Sequence, residues 1–169
     1  MRFERKVTGY KLVPVFDVAQ TDGEPLPVIA HTDPEGDSHG HLEAPLVKLA
    51  GELGFTVKEE TFTDGTGGYC DPVRKIIALG TDHSPNGRVR VLVHEIAHAM
   101  GVGYSEYGRG AAEVIVESVT YIVLAGQGYC LDASSVPYVT TWGQGNATDT
   151  IREFAAKIDE LARKIEEVL

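Results

Sequence analysis

The sequence predicts an α+β fold: a small, mostly antiparallel sheet drawn from the first half of the chain, with packed helices supplied mainly by the second. Three observations carry this reading. Segments that alternate apolar and polar residues, as half-buried strands do, lie before Gly80. Beyond Ser84, apolar residues recur at the three- and four-residue spacing of a helix face. The stretch VLVHEIAHAM, Val91 to Met100, is apolar apart from two histidines and a glutamate, so it reads as a buried helix whose polar groups need partners. With 169 residues the chain is long enough for one domain with its own core, and residues 1–169 are expected to form a single domain.

Taken in order, Arg5 to Val18 is rich in β-formers and reads as one or two strands. Thr21 to Gly40 is dense in glycine, proline and aspartate and reads as an irregular connection. A helix follows from Leu42 to Leu53, with Leu42, Leu46, Leu49, Ala50 and Leu53 on one face and Gly54 at the C-terminal cap. Phe55 to Phe62 alternates as a strand, and TDGTGG is a turn or open loop. Tyr69-Cys70 then faces Lys75 to Leu79 across Asp71-Pro72 in a hairpin. Ser84 is an N-cap and Pro85 the first residue of the helix that carries the opening motif and stops at Gly101. After the glycine-rich loop GVGYSEYGRG comes a helix from about Ala111 to Ala125, closed by Gly126. A short helix is expected near Val136 to Trp142. Asn146 and Asp149 then cap a last helix with Ile151, Phe154, Ala155, Ile158, Leu161, Ala162, Ile165 and Val168 on one face.

Composition excludes several classes. The 25 acidic residues outnumber the 15 basic ones, for a net charge of -10, which argues against direct nucleic-acid binding because phosphate contact needs clustered Lys and Arg. No stretch approaches the roughly 18 apolar residues of a membrane span, and the N-terminus lacks the apolar run of a signal peptide. Cys70 and Cys130 form no C-x-x-C pair and read as reduced thiols of a cytoplasmic protein.

The chemistry lies in HEIAH. His94 and His98 are four apart, so on a helix they share a face and can aim one imidazole nitrogen each at a single point, which suits a zinc ion. Glu95 is about 100° round the helix from His94 and cannot easily share that ion; it can reach a water there and act as general base. A catalytic zinc site needs a third protein ligand and an open position. The apolar helix AAEVIVESVTYIVLAG buries two acids four apart, Glu113 and Glu117, and two uncompensated carboxylates there would be costly. By analogy with other zinc peptidases, Glu113 is taken as the third ligand and Glu117 as an acceptor for a ligand histidine; spacing alone allows the reverse.

Other candidates carry less. His31, His39 and His41 lie in a loop that reads as solvated, and His83 reads as a turn residue. Tyr104, Tyr107 and Tyr121 are each able to stabilise an oxyanion, and sequence does not choose among them. The glycines of GTGG and GVGY match no phosphate-loop spacing.

The succession GGYCDPVRKIIALG, RVRVLVHEIAHAM and AAEVIVESVTYIV resembles the ImmA/IrrE-type zinc metallopeptidases, and more closely the metallopeptidase domain of ArdC-like antirestriction proteins. VFDVAQTDGEPLP, ESVTYIV and SSVPYVTTW are similar to further segments of the ArdC-like group. The resemblance implies a compact zincin-like domain, a minimal gluzincin, with one zinc ion on His94, His98 and Glu113 and with Glu95 as catalytic acid/base. It implies an edge strand, here Lys75 to Leu79, that binds substrate backbone by strand addition. It implies hydrolysis of peptide bonds in a protein or peptide substrate, such as an intracellular regulatory or DNA-associated protein. Residues 1–20 would be the last strand of the single-stranded-DNA-binding domain that precedes the peptidase in full ArdC-like proteins. Ile115 departs from the pattern, standing where a further acid is expected. A non-enzymatic alternative follows from the charge: an acidic antirestriction protein that mimics DNA on the same scaffold, with the zinc only structural.

Overall fold

Ile77, Ala78 and Leu79 are three consecutive apolar residues, and all three are fully buried. A run of that kind belongs in the middle of a sheet with both faces covered. In the computed structural model, which describes Pro14 and residues 35–129 and 147–169, they lie in β3 (Ile76–Gly80), the central strand of a three-stranded sheet. β1 (Thr56–Glu60) runs parallel to β3 on one side, and β2 (Gly68–Asp71) runs antiparallel on the other. The expected α+β class is thus present, with two corrections. The sheet is mixed, not mostly antiparallel, because the loop over residues 61–67 carries the chain past the place β3 will occupy and the tight hairpin then folds back into it. The expected edge strand at residues 75–79 is paired on both sides; among the described residues the edges are β1, which lies on α1, and β2, which lies on α2.

Five α-helices lie among the described residues: α1 (Glu43–Glu52), α2 (Pro85–Ala99), α3 (Tyr104–Tyr107), α4 (Arg109–Gly126) and α5 (Ala147–Glu166). α2 lies at the centre and touches α1, β2, β3 and α4, while α5 packs on α4. It starts as its sequence dictates: the Ser84 hydroxyl accepts from Gly87 N–H at 3.1 Å, and Pro85 fills the first turn. It ends at Gly101, whose φ of 103° turns the chain back over its own last turn. α4 runs through Gly126 and turns at Gln127 and Gly128, later than the expected stop. The core is shared by Leu46, Leu92, Ile96, Ile115, Leu124 and Leu161 with their neighbours. The expected strands at 5–18, the short helix at 136–142, Asn146, His31 and Cys130 lie outside the described residues, as does most of the connection after residue 20. Among the described residues no helix is long and apolar enough to cross a membrane.

The sheet approaches α2 closely at Gly68. A Cβ there would stand 2.6 Å from a Val91 methyl and 2.7 Å from the Ala78 carbonyl oxygen. The second neighbour is backbone of the central strand and cannot step aside. Gly68→Ala is therefore expected to destabilise the protein by about 1–3 kcal/mol, the usual result of overpacking. Chemical denaturation would measure it, and an unchanged midpoint would contradict the packing described here.

Candidate metal centre

α2 and α4 are the two most apolar helices of the second half, and they face each other across the cavity. One residue per turn of α2 points at α4: Arg90, His94 and His98. α4 answers with Glu117 and Glu113. Glu95, Glu113 and Glu117 are 7%, 6% and 1% exposed, so all three carboxylates are out of water.

The histidine tautomers follow from their partners. His98 Nδ1 is 2.7 Å from the Val102 carbonyl oxygen, which can only accept, so Nδ1 carries the hydrogen. The turn at Gly101 puts that carbonyl there. His94 Nδ1 is 3.0 Å from Glu117 Oε1 and donates to it. Each neutral ring therefore keeps its Nε2 lone pair for another use. His94 Nε2 lies 3.5 Å from Glu113 Oε2, and His98 Nε2 lies 4.0 Å from Glu113 Oε1. Two donor atoms of a tetrahedral zinc site, each about 2.05 Å from the metal, stand about 3.4 Å apart. The observed separations are close to that. His94, His98 and Glu113 offer ligand atoms all within 4.8 Å of one another, and among the described residues they are the one such group of three that can hold a metal ion.

The charges agree with the geometry. Three buried carboxylates share the site with one buried guanidinium, Arg90, whose Nη2 donates to both oxygens of Glu117 at 3.1 and 3.3 Å. A divalent cation would bring this set to neutrality, and an unbalanced buried charge is costly. Burial alone would lower the His94 pKa, but its bond to Glu117 and the charges of Glu95, Glu117 and Glu113 outweigh burial and raise it. What favours a proton on His94 favours a dication there too. The His98 pKa is lowered by burial and by His94. Glu117 is held below the ordinary carboxylate range: its bond from His94 and the nearby Arg90 overcome a burial effect in the other direction.

Glu95 stands apart from the ligand cluster, as its place on the helix requires. Burial raises its pKa to about 7; the His94 charge opposes the rise and Glu113 adds to it. Its carboxyl also accepts from the Cys70 backbone N–H on β2. The register explains that contact. Gly80 N–H donates to Gly67 O at 2.8 Å, so alternation along the antiparallel pair turns the polar backbone of Gly68 and Cys70 away from β3, toward the edge that pairs with no strand among the described residues. The Cys70 thiol is half-buried in the same wall, its pKa pushed up to about 12 by burial and by Glu95, which leaves it inert as a nucleophile.

The structure separates the three tyrosines. Tyr104 lines the cavity, and its hydroxyl donates to Glu113 Oε1. Tyr107 packs edge-on against Phe154, and Tyr121, exposed and one turn beyond Glu117 on α4, is not among the residues that line the cavity. His83 Nε2 donates to the Gly67 carbonyl at 2.8 Å, and His39 Nε2 lies 3.2 Å from the Gln127 carbonyl, so neither joins the cluster. Two participants escaped the sequence reading. Arg90 left a signal, being four residues before His94 and so on its face. The Cys70 N–H left none, because it depends on strand register. The cavity bounded by β2, α2, α3 and α4 measures about 440 Å³. Compared with known proteins, the chain matches no family model, no curated protein and no solved structure.

Proposed function

We propose that this protein is a zinc-dependent metallopeptidase with one ion held by His94, His98 and Glu113 and with Glu95 as its catalytic acid/base. One observation carries the reading: both histidines commit Nδ1 to a fixed acceptor and leave Nε2 converging on the Glu113 carboxylate. A zinc-like arrangement of donors that served only structure would need four closed ligands and would have no use for Glu95. The resemblance of HEIAH and its flanking segments to ImmA/IrrE-type and ArdC-like peptidases supports the same conclusion.

Bound there, a zinc ion would supply Lewis-acid polarisation and lower the pKa of water toward about 7. The chain's own residues do the rest. Glu95, with a pKa already raised to about 7, takes a proton from the attacking water as its oxygen adds to the scissile carbonyl carbon. It then passes that proton to the amide nitrogen as the C–N bond breaks. The outer edge of β2 beside Glu95, unpaired among the described residues, suits an extended peptide, which would add as a further strand. That is the role expected of residues 75–79, moved to the edge strand that lines the cavity. The substrate class we assign is an extended segment of an intracellular protein, a regulatory or DNA-associated one by the resemblance, with the peptidase in the cytoplasm.

The test is metal content together with cleavage. The purified protein should carry one zinc per chain, and the zinc-loaded form should cut members of an unbiased peptide library read by mass spectrometry. No bound zinc after supply of the metal would reject the reading. Tyr104 gives a finer expectation. Its hydroxyl sits at the ligand carboxylate and faces the cavity, where it can donate to a developing oxyanion. Tyr104→Phe should lower kcat by about a hundredfold, with zinc content and KM little changed. A change confined to KM would assign the hydroxyl to substrate binding instead.

A further inference from the structure

We infer that Arg90 is a positioning residue for the metal centre, acting on His94 through Glu117. The inference rests on the metal-site reading above. Arg90 is buried at the cavity wall, and its guanidinium is turned to the Glu117 carboxylate. Its Nη2 donates to both Glu117 oxygens, and Glu117 Oε1 accepts from His94 Nδ1 at 3.0 Å. The three groups form a chain in which each fixes the next. Arg90 and His94 are one turn apart on α2, so the guanidinium and the imidazole meet the same carboxylate from the same helix.

Stability does not account for this pair. A buried arginine–glutamate pair is costly to desolvate, and two well-packed apolar side chains of similar size generally serve a core as well or better. An apolar pair has no acceptor for His94 Nδ1, however. Without one, the ring is free to turn and to place its hydrogen on Nε2, the atom that must be bare to bind a metal. Arg90 also holds both oxygens of Glu117 at once. That keeps Glu117 back as a brace while Glu113, one turn away, takes the ligand position.

Zinc affinity, measured by chelator competition on the folded protein, tests the inference through a double-mutant cycle. Arg90→Gln should weaken zinc binding by about tenfold or more, the usual scale for a group behind a ligand histidine, and Arg90→Lys by less. In a Glu117→Gln background the same Arg90→Gln change should weaken it by no more than about twofold, because the route is already cut. Unchanged affinity in Arg90→Gln, or equal losses in both backgrounds, would overturn the inference. A purely structural Arg90 would lower the melting temperature in both backgrounds and leave the affinity of folded molecules alone. Should Arg90→Gln not fold, Arg90→Lys in the two backgrounds gives the same comparison. Wild-type protein that binds no zinc would fail the parent reading, a result distinct from an additive cycle in a protein that does bind it.

Discussion

Glu95→Gln should keep its zinc and lose its hydrolysis. Glutamine has the same shape and can still accept from the Cys70 N–H with its amide oxygen, so the local packing survives. Glu95 is not among the converging ligand atoms, so zinc affinity should move only a few-fold. The group that takes and returns the proton is gone, however, and cleavage should fall by about 10²–10⁴-fold. Library digestion and metal analysis on the same preparation check both halves. Equal cleavage by wild type and variant would reject the role of Glu95. The variant also separates the two functional classes. An acidic DNA mimic on this scaffold would inhibit a DNA-binding partner equally well before and after the Glu95→Gln change, whereas a peptidase would not. A second readout needs no substrate. In the metal-free protein the folded pKa of Glu95 is raised from 4.5 to about 7. A raised folded pKa gives stability that is fully present below about pH 4.5 and lost as pH rises through 7. By about pH 8 the loss amounts to roughly 3 kcal/mol. Glutamine does not titrate, so metal-free Glu95→Gln should melt above metal-free wild type near pH 8 and beside it near pH 5.

The site was legible in the sequence where it depends on helix periodicity, and illegible where it depends on how strands meet. His94, Glu95 and His98 declare themselves because four-residue spacing fixes a shared face whatever the rest of the chain does. Glu113 and Glu117 declare themselves because acids are rare in a run such as VIVESVTYIV. The same logic applied to Arg90 would have found it. Sheet order has no comparable local signature. IIALG reads equally as the second arm of a hairpin or as a central strand, and only its lack of alternation hints that both faces are covered. Its partner on the far side, β1, is separated from it by the whole of β2, so the parallel pairing is a long-range choice. That is why the expected edge strand proved to be the middle one, and why the backbone donor to Glu95 came as a finding. The tyrosines fall between the two cases. All three are on or near α4 in sequence, and only the placement of the short α3 beside α4 brings the Tyr104 hydroxyl to Glu113.

Glu113 and Glu117 should differ sharply when replaced, and the difference decides the one ligand that spacing left open. Glu113→Ala removes a carboxylate whose two oxygens stand 3.5 and 4.0 Å from the two bare imidazole nitrogens. Loss of one ligand of three should weaken zinc binding on the order of a thousandfold, given the roughly 10–16 kcal/mol that a full zinc site contributes. Glu117→Gln leaves those nitrogens and Glu113 in place, and its amide oxygen can still face His94 Nδ1. It gives up the charge that strengthens His94 as a donor, which should weaken zinc by about 10- to 100-fold. Ligand linkage makes the contrast visible without any assay of catalysis. A protein holding zinc at about a thousand times its Kd gains about 4 kcal/mol of stability. Added zinc should therefore raise the wild-type melting temperature clearly, raise that of Glu117→Gln less, and leave that of Glu113→Ala near its metal-free value. Calorimetry with and without zinc, on the three proteins side by side, gives the order. If Glu117→Gln lost more than Glu113→Ala, the ligand and the brace would have to change places. The buried Arg90 would then be paired with a metal ligand, a cation set against a cation across one carboxylate.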